Sequence, residues 1–188
     1  MPEKRGRVRE EREGEGTTAA QRADHFTSLV VEHERRVHRT LSRLGVREAD
    51  LEDAKQAVFL VVHRRLGDLL PRASFTTWLH GICVRVASEH RRRAHVRREL
   101  LPGELPDSAA PPTQEDAVAL SEARESLSRM LAALDEDKRA VFVLFELEER
   151  PMAVVARLVG CPVQTAYYRL YAARREIDAI LSGANGCA

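Results

Sequence analysis

The chain has 188 residues and a formal net charge of +1. Its length and its hydrophobic content of 44% are sufficient for one domain, or for two small ones, with packed cores. Its three cysteines are far apart, which argues against a disulfide framework, and the histidine spacing predicts no metal site. No apolar run reaches the length of a membrane span, and the N-terminus lacks a hydrophobic signal core. We therefore expect a cytoplasmic protein without membrane insertion, in which Cys83 and Cys161 are small buried residues.

The first third of the chain is predicted to be a tail followed by two helices. Residues 1–23 mix charges of both signs with three glycines and offer little to bury, which is typical of a disordered tail. Asp24 is placed to cap a helix that ends at Gly45. A second helix is predicted over residues 48–66. Its inner face carries Leu51, Ala54, Val58, Val61 and Val62.

A third helix is predicted from Phe75 to Arg98, and it contains the tryptophan of the chain. Apolar residues recur on one face at three- and four-residue spacing: Phe75, Trp78, Leu79, Ile82 and Val86. The other face carries Arg85, Glu89, His90 and Arg92. Aromatic rings stack on unpaired bases while cations hold phosphates, so this helix is a candidate for binding melted nucleic acid. A core helix with a solvated basic end is the alternative.

The middle of the chain is strongly segregated in charge. Residues 85–98 carry six arginines against one acid, whereas residues 99–116 carry five acids, four prolines and no base. This composition predicts a flexible acidic linker, and a basic patch beside it suggests a polyanionic partner. Further helices are predicted from near Gln114, over residues 136–147 behind an Asp135 cap, and over residues 152–159.

The end of the chain fits a helix-turn-helix. Small Ala156 allows two helices to approach closely, Gly160 lies in the turn, and Pro162 stands at the first turn of the final helix. In a DNA complex this final helix would lie in the major groove, with Gln164 and Thr165 near base edges. The residues available for phosphate are Arg169, Arg174 and Arg175. An ordinary helical hairpin with a glycine turn is the alternative.

The predicted fold class is all-α, since no strand-type alternation occurs in the sequence. Two small helical domains, residues 24–98 and 117–183, are joined by the Pro-rich acidic linker 99–116, and the second is the helix-turn-helix domain. Residues 1–23 and 184–188 are predicted tails.

Three motifs resemble the extracytoplasmic-function sigma factors of bacterial RNA polymerase, the minimal two-domain class of the sigma-70 family. They are the acidic segment 50–59, the segment 75–82 with its arginine run, and the segment from Leu134 through Thr165. Together they cover residues 25–98 and 117–181 in the family's order. The resemblance implies a cytoplasmic protein that binds core RNA polymerase, directs it to promoters and promotes melting of the −10 element. It implies neither enzymatic activity nor a cofactor.

The resemblance also assigns partners and contact residues. The implied partners are core polymerase, through its β′ clamp and β flap, promoter DNA and an anti-sigma factor, without a small-molecule substrate. The polymerase-binding residues would be Asp50, Glu52, Asp53 and Gln56. The −10 residues would be Phe75, Thr77, Trp78, Arg85, Glu89, His90, Arg92 and Arg93. The −35 residues would be Pro162, Gln164, Thr165, Tyr167, Tyr168, Arg169, Tyr171, Arg174 and Arg175.

The sequence departs from the family at several of these positions. Arg85 stands where relatives usually carry asparagine, which leaves the −10 base preference open. Relatives commonly have arginine at the positions of Phe145, Tyr167 and Ala172, and serine at that of Tyr168, so fewer phosphate contacts are expected. The tyrosines could contact DNA or a protein. Two alternatives therefore stay open: a helix-turn-helix regulator that binds duplex DNA, and a degenerate sigma-like protein that acts through protein interaction without initiating transcription.

Overall fold

The computed structural model describes the backbone of residues 4–66, 74–100 and 115–185. These residues form seven α-helices and no strand, which confirms the all-α class. The helices are α1 Lys4–Arg43, α2 Glu48–Arg65, α3 Phe75–Leu100, α4 Glu115–Ala133, α5 Glu136–Phe142, α6 Met152–Val159 and α7 Val163–Asn185. A π-helical turn, Val143–Leu147, continues α5 directly. By internal contacts the chain separates into two units, residues 1–36 and 37–188.

The first unit consists of most of α1, and here the structure differs from the sequence prediction. The helix begins at Lys4, whereas residues 1–23 were expected to form a disordered tail. Asp24 does not cap the helix, because it lies in the interior of α1. Its backbone carbonyl accepts a hydrogen bond from the Ser28 hydroxyl one turn later. Arginine, glutamate, alanine and glutamine all have high helix propensity, and this favours a helix even where little is buried.

The second unit begins with a core formed by the end of α1, α2 and α3. Gly45 follows α1 with a φ of +88°, a left-handed conformation that glycine adopts without strain, as expected for a helix stop. The inner face of α2 buries four of the five predicted residues, and Val61 is half-buried. The buried residues of this core include Val37, Leu41, Leu44, Leu51, Ala54, Val58, Val62, Leu79, Ile82 and Val86.

The helix-turn-helix has the bounds that the sequence predicted. Asp135 caps α5, because its carboxylate accepts a hydrogen bond of 2.9 Å from the Lys138 amide. α6 ends at Gly160, whose φ of +71° reverses the chain toward α7. One apolar cluster joins α5, α6 and α7 and contains Val141, Leu144, Met152, Val155, Ala156, Ala166 and Leu170. The predicted helix over residues 136–147 is α-helical only to Phe142 and π-helical beyond it.

The described residues on either side of the predicted linker are in contact within the second unit. Val84 of α3 packs against the apolar cluster of the helix-turn-helix, and α3 lies against α6. Residues 101–114 of the predicted linker lie outside the described residues, so the domain boundaries stay a prediction. None of the described helices is long and apolar enough to cross a bilayer. The described side chains also contain no group of three or more potential metal ligands.

Candidate nucleic-acid and protein interfaces

The predicted polymerase-binding residues occupy the exposed side of α2. Glu52, Asp53 and Gln56 face solvent because Leu51, Ala54 and the later valines turn the opposite side of the helix into the core. Lys55 Nζ lies 2.9 Å from the Glu52 carboxylate, and most of the Glu52 side chain is still accessible to solvent. Leu60, one turn after Gln56, is 49% exposed on the same side. The sequence analysis missed Leu60, although an apolar residue on a polar helix face is the signal of a contact surface.

The predicted −10 residues fall into two groups along α3. Arg85, Glu89 and Arg92 are exposed, as the helical spacing predicted, and so is Arg93, whereas His90 of the same predicted face is half-buried. Phe75, Thr77 and Trp78 at the start of the helix are half-buried, with the Phe75 and Trp78 rings 5.8 Å apart and tilted. Arg93 is paired with Glu89 one turn earlier. The unpaired cations of this face are therefore Arg85 and Arg92, within the part of the chain that the structure describes.

A shallow cleft brings the two predicted surfaces together where the start of α2 meets the middle of α3. Its lining residues are Arg47, Asp50, Asp53, His90, Arg93 and Ala94. Asp50 accepts a hydrogen bond of 2.8 Å from Arg47 Nε, so this predicted docking residue is engaged at the start of its own helix. The sequence had assigned these acids to polymerase and His90 and Arg93 to DNA. The structure places the acids and the two basic residues together in this one cleft.

The recognition helix, α7, exposes a tyrosine face. Tyr167, Tyr168 and Tyr171 are 41%, 69% and 56% exposed, and the rings of Tyr167 and Tyr171 stack with centroids 6.3 Å apart. The Arg174 guanidinium carbon lies 5.9 Å from the Tyr171 ring centroid, within the range of a cation–π contact. Pro162 and Gln164 are exposed at the start of the helix, and Thr165 is half-buried.

Two of the three cations predicted to hold phosphate are paired with acids of the same domain. Arg169 is paired with Asp137 at the start of α5. Arg174 Nε donates to Glu146 Oε1 over 2.7 Å. Arg175 is exposed. The surface therefore presents aromatic rings and partly neutralised charge, which lowers the number of free cations available to a DNA backbone.

Two of the departures from the family pattern are buried or partly buried in this chain. Ala172 is buried on the inner side of α7. Phe145 packs against the apolar cluster of the helix-turn-helix. The departures that are clearly exposed are Tyr167 and Tyr168, so the sequence expectation of lost phosphate contacts applies most directly to these two positions.

The sequence analysis missed a buried polar group, which we call the Glu148 cluster: Glu148, His80, Thr40 and Arg43. The Glu148 side chain is 9% exposed and His80 is fully buried, with His80 Nε2 3.1 Å from Glu148 Oε2. These two atoms are within ion-pair distance, but their geometry is not that of a hydrogen bond. Thr40 Oγ1 donates to Glu148 Oε1 over 3.1 Å, and Arg43 Nη1 lies 3.3 Å from the same oxygen.

The environment of Glu148 favours its ionised form. Burial raises the pKa of the carboxyl, but His80, the Thr40 hydroxyl and the charge of Arg43 outweigh that effect and hold the pKa below its ordinary value. Glu149, which follows, has a φ of +52°, a conformation that costs a non-glycine residue energy. The turn that presents Glu148 is therefore held in place by its surroundings.

Arg91 is a second residue whose role the sequence analysis did not identify. Its guanidinium donates to the backbone carbonyl of Leu44 and lies 2.6 Å from the Glu136 carboxylate. Its side chain is 15% exposed. Arg91 therefore belongs to a contact between the first three helices and α5, while its neighbours Arg92 and Arg93 face solvent.

Comparison with known proteins agrees with this arrangement. The family model of sigma-70 region 2 matches residues 29–97, and that of sigma-70 region 4 matches residues 124–177. The ECF RNA polymerase sigma-E factor of Escherichia coli K12 is 28% identical over 162 residues, covering 81% of this chain and 84% of that protein. The RNA polymerase sigma-H factor of Pseudomonas aeruginosa is 27% identical over 169 residues, covering 83% and 86%.

Two solved structures share the fold. CnrH, solved in complex with the cytosolic domain of CnrY, has a TM-score of 0.62 at 24% identity over 88% of this chain and 95% of that chain. The sigma factor RpoE, solved in complex with the anti-sigma factor NepR from Bartonella quintana, has a TM-score of 0.69 at 18% identity over 84% and 97%. Because both matched regions follow in the family's order, the chain belongs to the sigma-70 family, as a sigma factor of the extracytoplasmic-function type.

Proposed function

We propose that this chain binds core RNA polymerase, directs it to promoters and promotes opening of the −10 element. The observation that carries the proposal is the placement of two different exposed faces on neighbouring helices. α2 presents Glu52, Asp53 and Gln56, while α3 presents Arg85 and Arg92. One helical unit thus presents an acidic surface for a protein and a basic surface for a DNA strand, and the two surfaces meet at the cleft lined by Asp53 and Arg93.

The acidic face of α2 is proposed to bind the clamp of the β′ subunit. Glu52 and Asp53 supply negative charge, Gln56 supplies an amide, and Leu60 adds an apolar contact within the same exposed strip. Charged residues at the rim steer association, whereas an exposed leucine contributes burial once the surfaces meet. We further propose that the second matched region binds the β flap and that an anti-sigma factor controls the chain.

The exposed face of α3 is proposed to bind the melted −10 strand. Arg85 and Arg92 can contact phosphates, and the Phe75–Trp78 ring pair at the start of the helix offers a half-exposed aromatic surface for bases. Melting is then driven by binding, because captured bases offset an unpairing cost of a few kcal/mol per base. Phosphodiester synthesis belongs to the polymerase, so the chain acts as an initiation factor and not as an enzyme.

The recognition helix is proposed to bind the −35 element in the major groove. Gln164 can bond an adenine edge with both atoms of its amide, and Thr165 can contact a thymine methyl. Tyr167, Tyr168 and Tyr171 supply hydroxyls for phosphates in place of the arginines of relatives. A protein that works with polymerase and promoter DNA acts in the cytoplasm, where we expect this chain.

The test is run-off transcription with core polymerase and promoter fragments, together with a measurement of the affinity for core polymerase. Glu52→Lys should weaken polymerase binding, whereas Trp78→Ala should leave it unchanged and lower transcription. Trp78→Phe keeps a stacking ring and should retain more activity than Trp78→Ala. The matched control is Glu125→Lys, the same charge reversal at an exposed position on α4.

Equal transcription from the wild type and both variants would overturn the assigned roles. Stable polymerase binding by the wild type without transcription from any fragment would favour the degenerate sigma-like protein. Tight binding of duplex promoter DNA without affinity for core polymerase would favour the helix-turn-helix regulator.

A further inference from the structure

We propose that the ring of Tyr167 selects thymine in the −35 element, and that Tyr171, Arg174 and Glu146 hold this ring in position for the contact. The proposal rests on the sigma-factor function given above, and it adds a base preference to the surface that would bind the −35 element. It differs from the phosphate contacts of the tyrosine hydroxyls, because here the ring and not the hydroxyl recognises the base.

The ring of Tyr167 is fixed on α7 by a series of three contacts. It stacks on the ring of Tyr171, four residues later, with centroids 6.3 Å apart and an angle of 22° between the planes. The Arg174 guanidinium carbon lies 5.9 Å from the centroid of the Tyr171 ring. Arg174 Nε in turn donates to Glu146 Oε1 over 2.7 Å, and Glu146 belongs to the π-helical turn outside α7. The rings are therefore positioned before DNA binds, which reduces the side-chain entropy that binding would cost.

Tyr167 lies where a recognition helix approaches base edges. It is the fifth residue of α7, and the first turns of such a helix enter the major groove. Val163, four residues earlier, is 42% exposed, and Gln164, three residues earlier, is exposed as well. Residues three and four apart are neighbours on the surface of a helix. An apolar contact and a polar amide are therefore presented side by side.

The cations of this surface do not supply the same selectivity. Arg169 is paired with Asp137, and Arg174 is engaged by Glu146. A cation that holds a phosphate also carries no sequence information, because the phosphate is the same at every base pair. The ring of Tyr167 therefore adds a third group to Gln164 and Thr165, the residues that can distinguish bases by direct contact.

Thymine is the base that an exposed ring can recognise. Its C5-methyl is an apolar group on the major-groove edge, where cytosine presents an amino donor. Burial of one methyl group against a ring raises the affinity by about fourfold. Gln164 suits an adenine. The neighbouring contacts of Gln164 and Tyr167 together favour A·T pairs in the −35 element.

A protein partner is the competing occupant of the tyrosine face, and two observations favour DNA. The rings are continuous along α7 with Gln164 and Thr165, the residues proposed to read bases. Arg175, four residues after Tyr171, is exposed and can hold a phosphate beside the rings. The tyrosine face is therefore part of the surface that would face the duplex.

Removal of single methyl groups from the DNA tests the base contact. The complex of this chain with core polymerase first selects −35 duplexes from a library in which that element is randomised. Each thymine of the selected duplex is then replaced by deoxyuridine, which lacks only the C5-methyl, and fluorescence anisotropy measures the affinity. For the wild type, at least one replacement should weaken binding by about fourfold. That loss should disappear in Tyr167→Ala and persist in Tyr167→Phe, which keeps the ring.

Glu146→Ala tests the positioning of the ring. Without its acceptor, Arg174 should leave the Tyr171 ring, so the loss on deoxyuridine replacement should become smaller. The released cation should also steepen the dependence of log affinity on log salt by about one unit, which a merely structural role of Glu146 would not do. Glu146→Gln keeps an oxygen that accepts a hydrogen bond and should respond to deoxyuridine like the wild type. The matched control is Glu125→Ala, at an exposed position on α4.

The same loss on deoxyuridine replacement in the wild type and in Tyr167→Ala would overturn the proposal, and so would selected duplexes without thymine. An unchanged affinity of Tyr167→Ala for the selected duplex would also overturn it and would assign the tyrosine face to a protein partner. These outcomes leave the sigma-factor function intact. Failure to select any duplex would instead contradict the −35 role of α7, and absence of transcription by the wild-type chain would contradict the sigma-factor function.

Discussion

Arg169 of the recognition helix is paired with Asp137 at the start of α5, although its position on α7 suits a phosphate contact. Arg174 is held in the same way by Glu146. Two cations of the proposed −35 surface are therefore balanced by acids of their own domain. Affinity for DNA should be limited by these acids as well as by the missing arginines.

Asp137→Asn should release Arg169 and strengthen binding to a −35 duplex. One more neutralised phosphate should steepen the dependence of log affinity on log salt by about one unit. The control is Asp178→Asn, which makes the same change of net charge at an exposed position later on α7. Fluorescence anisotropy titrations over a range of salt concentrations measure both slopes. Identical slopes for the two variants would show that Arg169 does not reach phosphate.

The Glu148 cluster should make stability depend on pH in the acid range. A carboxyl whose pKa is lowered on folding stabilises the chain above its unfolded pKa, and the contribution is lost as the pH falls through the folded value. The free energy of unfolding should therefore decrease as the pH drops below 4.5, the ordinary value for glutamate. Urea unfolding at several pH values should show a smaller decrease for Glu148→Gln than for the wild type. Parallel curves would contradict a charged Glu148.

Gly45 and Gly160 should respond differently to alanine. Both have positive φ, so each substitution should cost about 1–2 kcal/mol of backbone strain. At Gly160 nothing lies within 4 Å of the added Cβ, whereas at Gly45 the Arg139 guanidinium occupies that space. Gly45→Ala should therefore lower the free energy of unfolding by more than Gly160→Ala does. Chemical denaturation compares them, and equal losses would show that Arg139 moves aside freely.

Cys83 should be unreactive in the folded chain. Burial, with a smaller effect from the charge of Glu148, raises the pKa of its thiol to about 12, and only the thiolate attacks alkylating reagents. In a Cys187→Ala chain, iodoacetamide at about pH 8 should modify half-buried Cys161 and spare Cys83. Mass spectrometry counts the adducts, with the unfolded chain as the control. Alkylation of Cys83 at its unfolded rate would show that its site opens readily.

Local signals in the sequence were sufficient for the helices and their ends. The Asp135 cap, the stop at Gly45 and the α6 bounds with Gly160 all depend on residues within one turn of each other, and each is confirmed. The periodic apolar residues of α2 likewise gave four buried positions. The helical start of α1 at Lys4 was not predicted, because residues 1–23 were judged by how little they can bury and not by their helix propensity.

Long-range pairing of polar residues could not be predicted from local spacing. Glu148, His80 and Arg91 each look like part of a solvated face in their own segment, and only the contact between the two regions buries them. The same holds for Arg169 and Arg174, which look like free cations in their own segment but are paired with Asp137 of α5 and with Glu146 of the π-helical turn. Conversely, Ala172 and Phe145 looked like surface departures, but Ala172 is buried and Phe145 is partly buried against the apolar cluster.

The π-helical turn Val143–Leu147 sets the direction in which Glu148 points. The Glu148 amide bonds to the carbonyl of Val143, five residues back, over 3.0 Å, so this turn holds one residue more than an α-helical turn. An extra residue rotates everything after it by about 100° about the helix axis. Deleting one residue from the turn would restore a regular helix while turning the carboxylate away from His80. A one-residue change in length, without any change of charge, would therefore separate Glu148 from its partners Thr40, Arg43 and His80 in this chain.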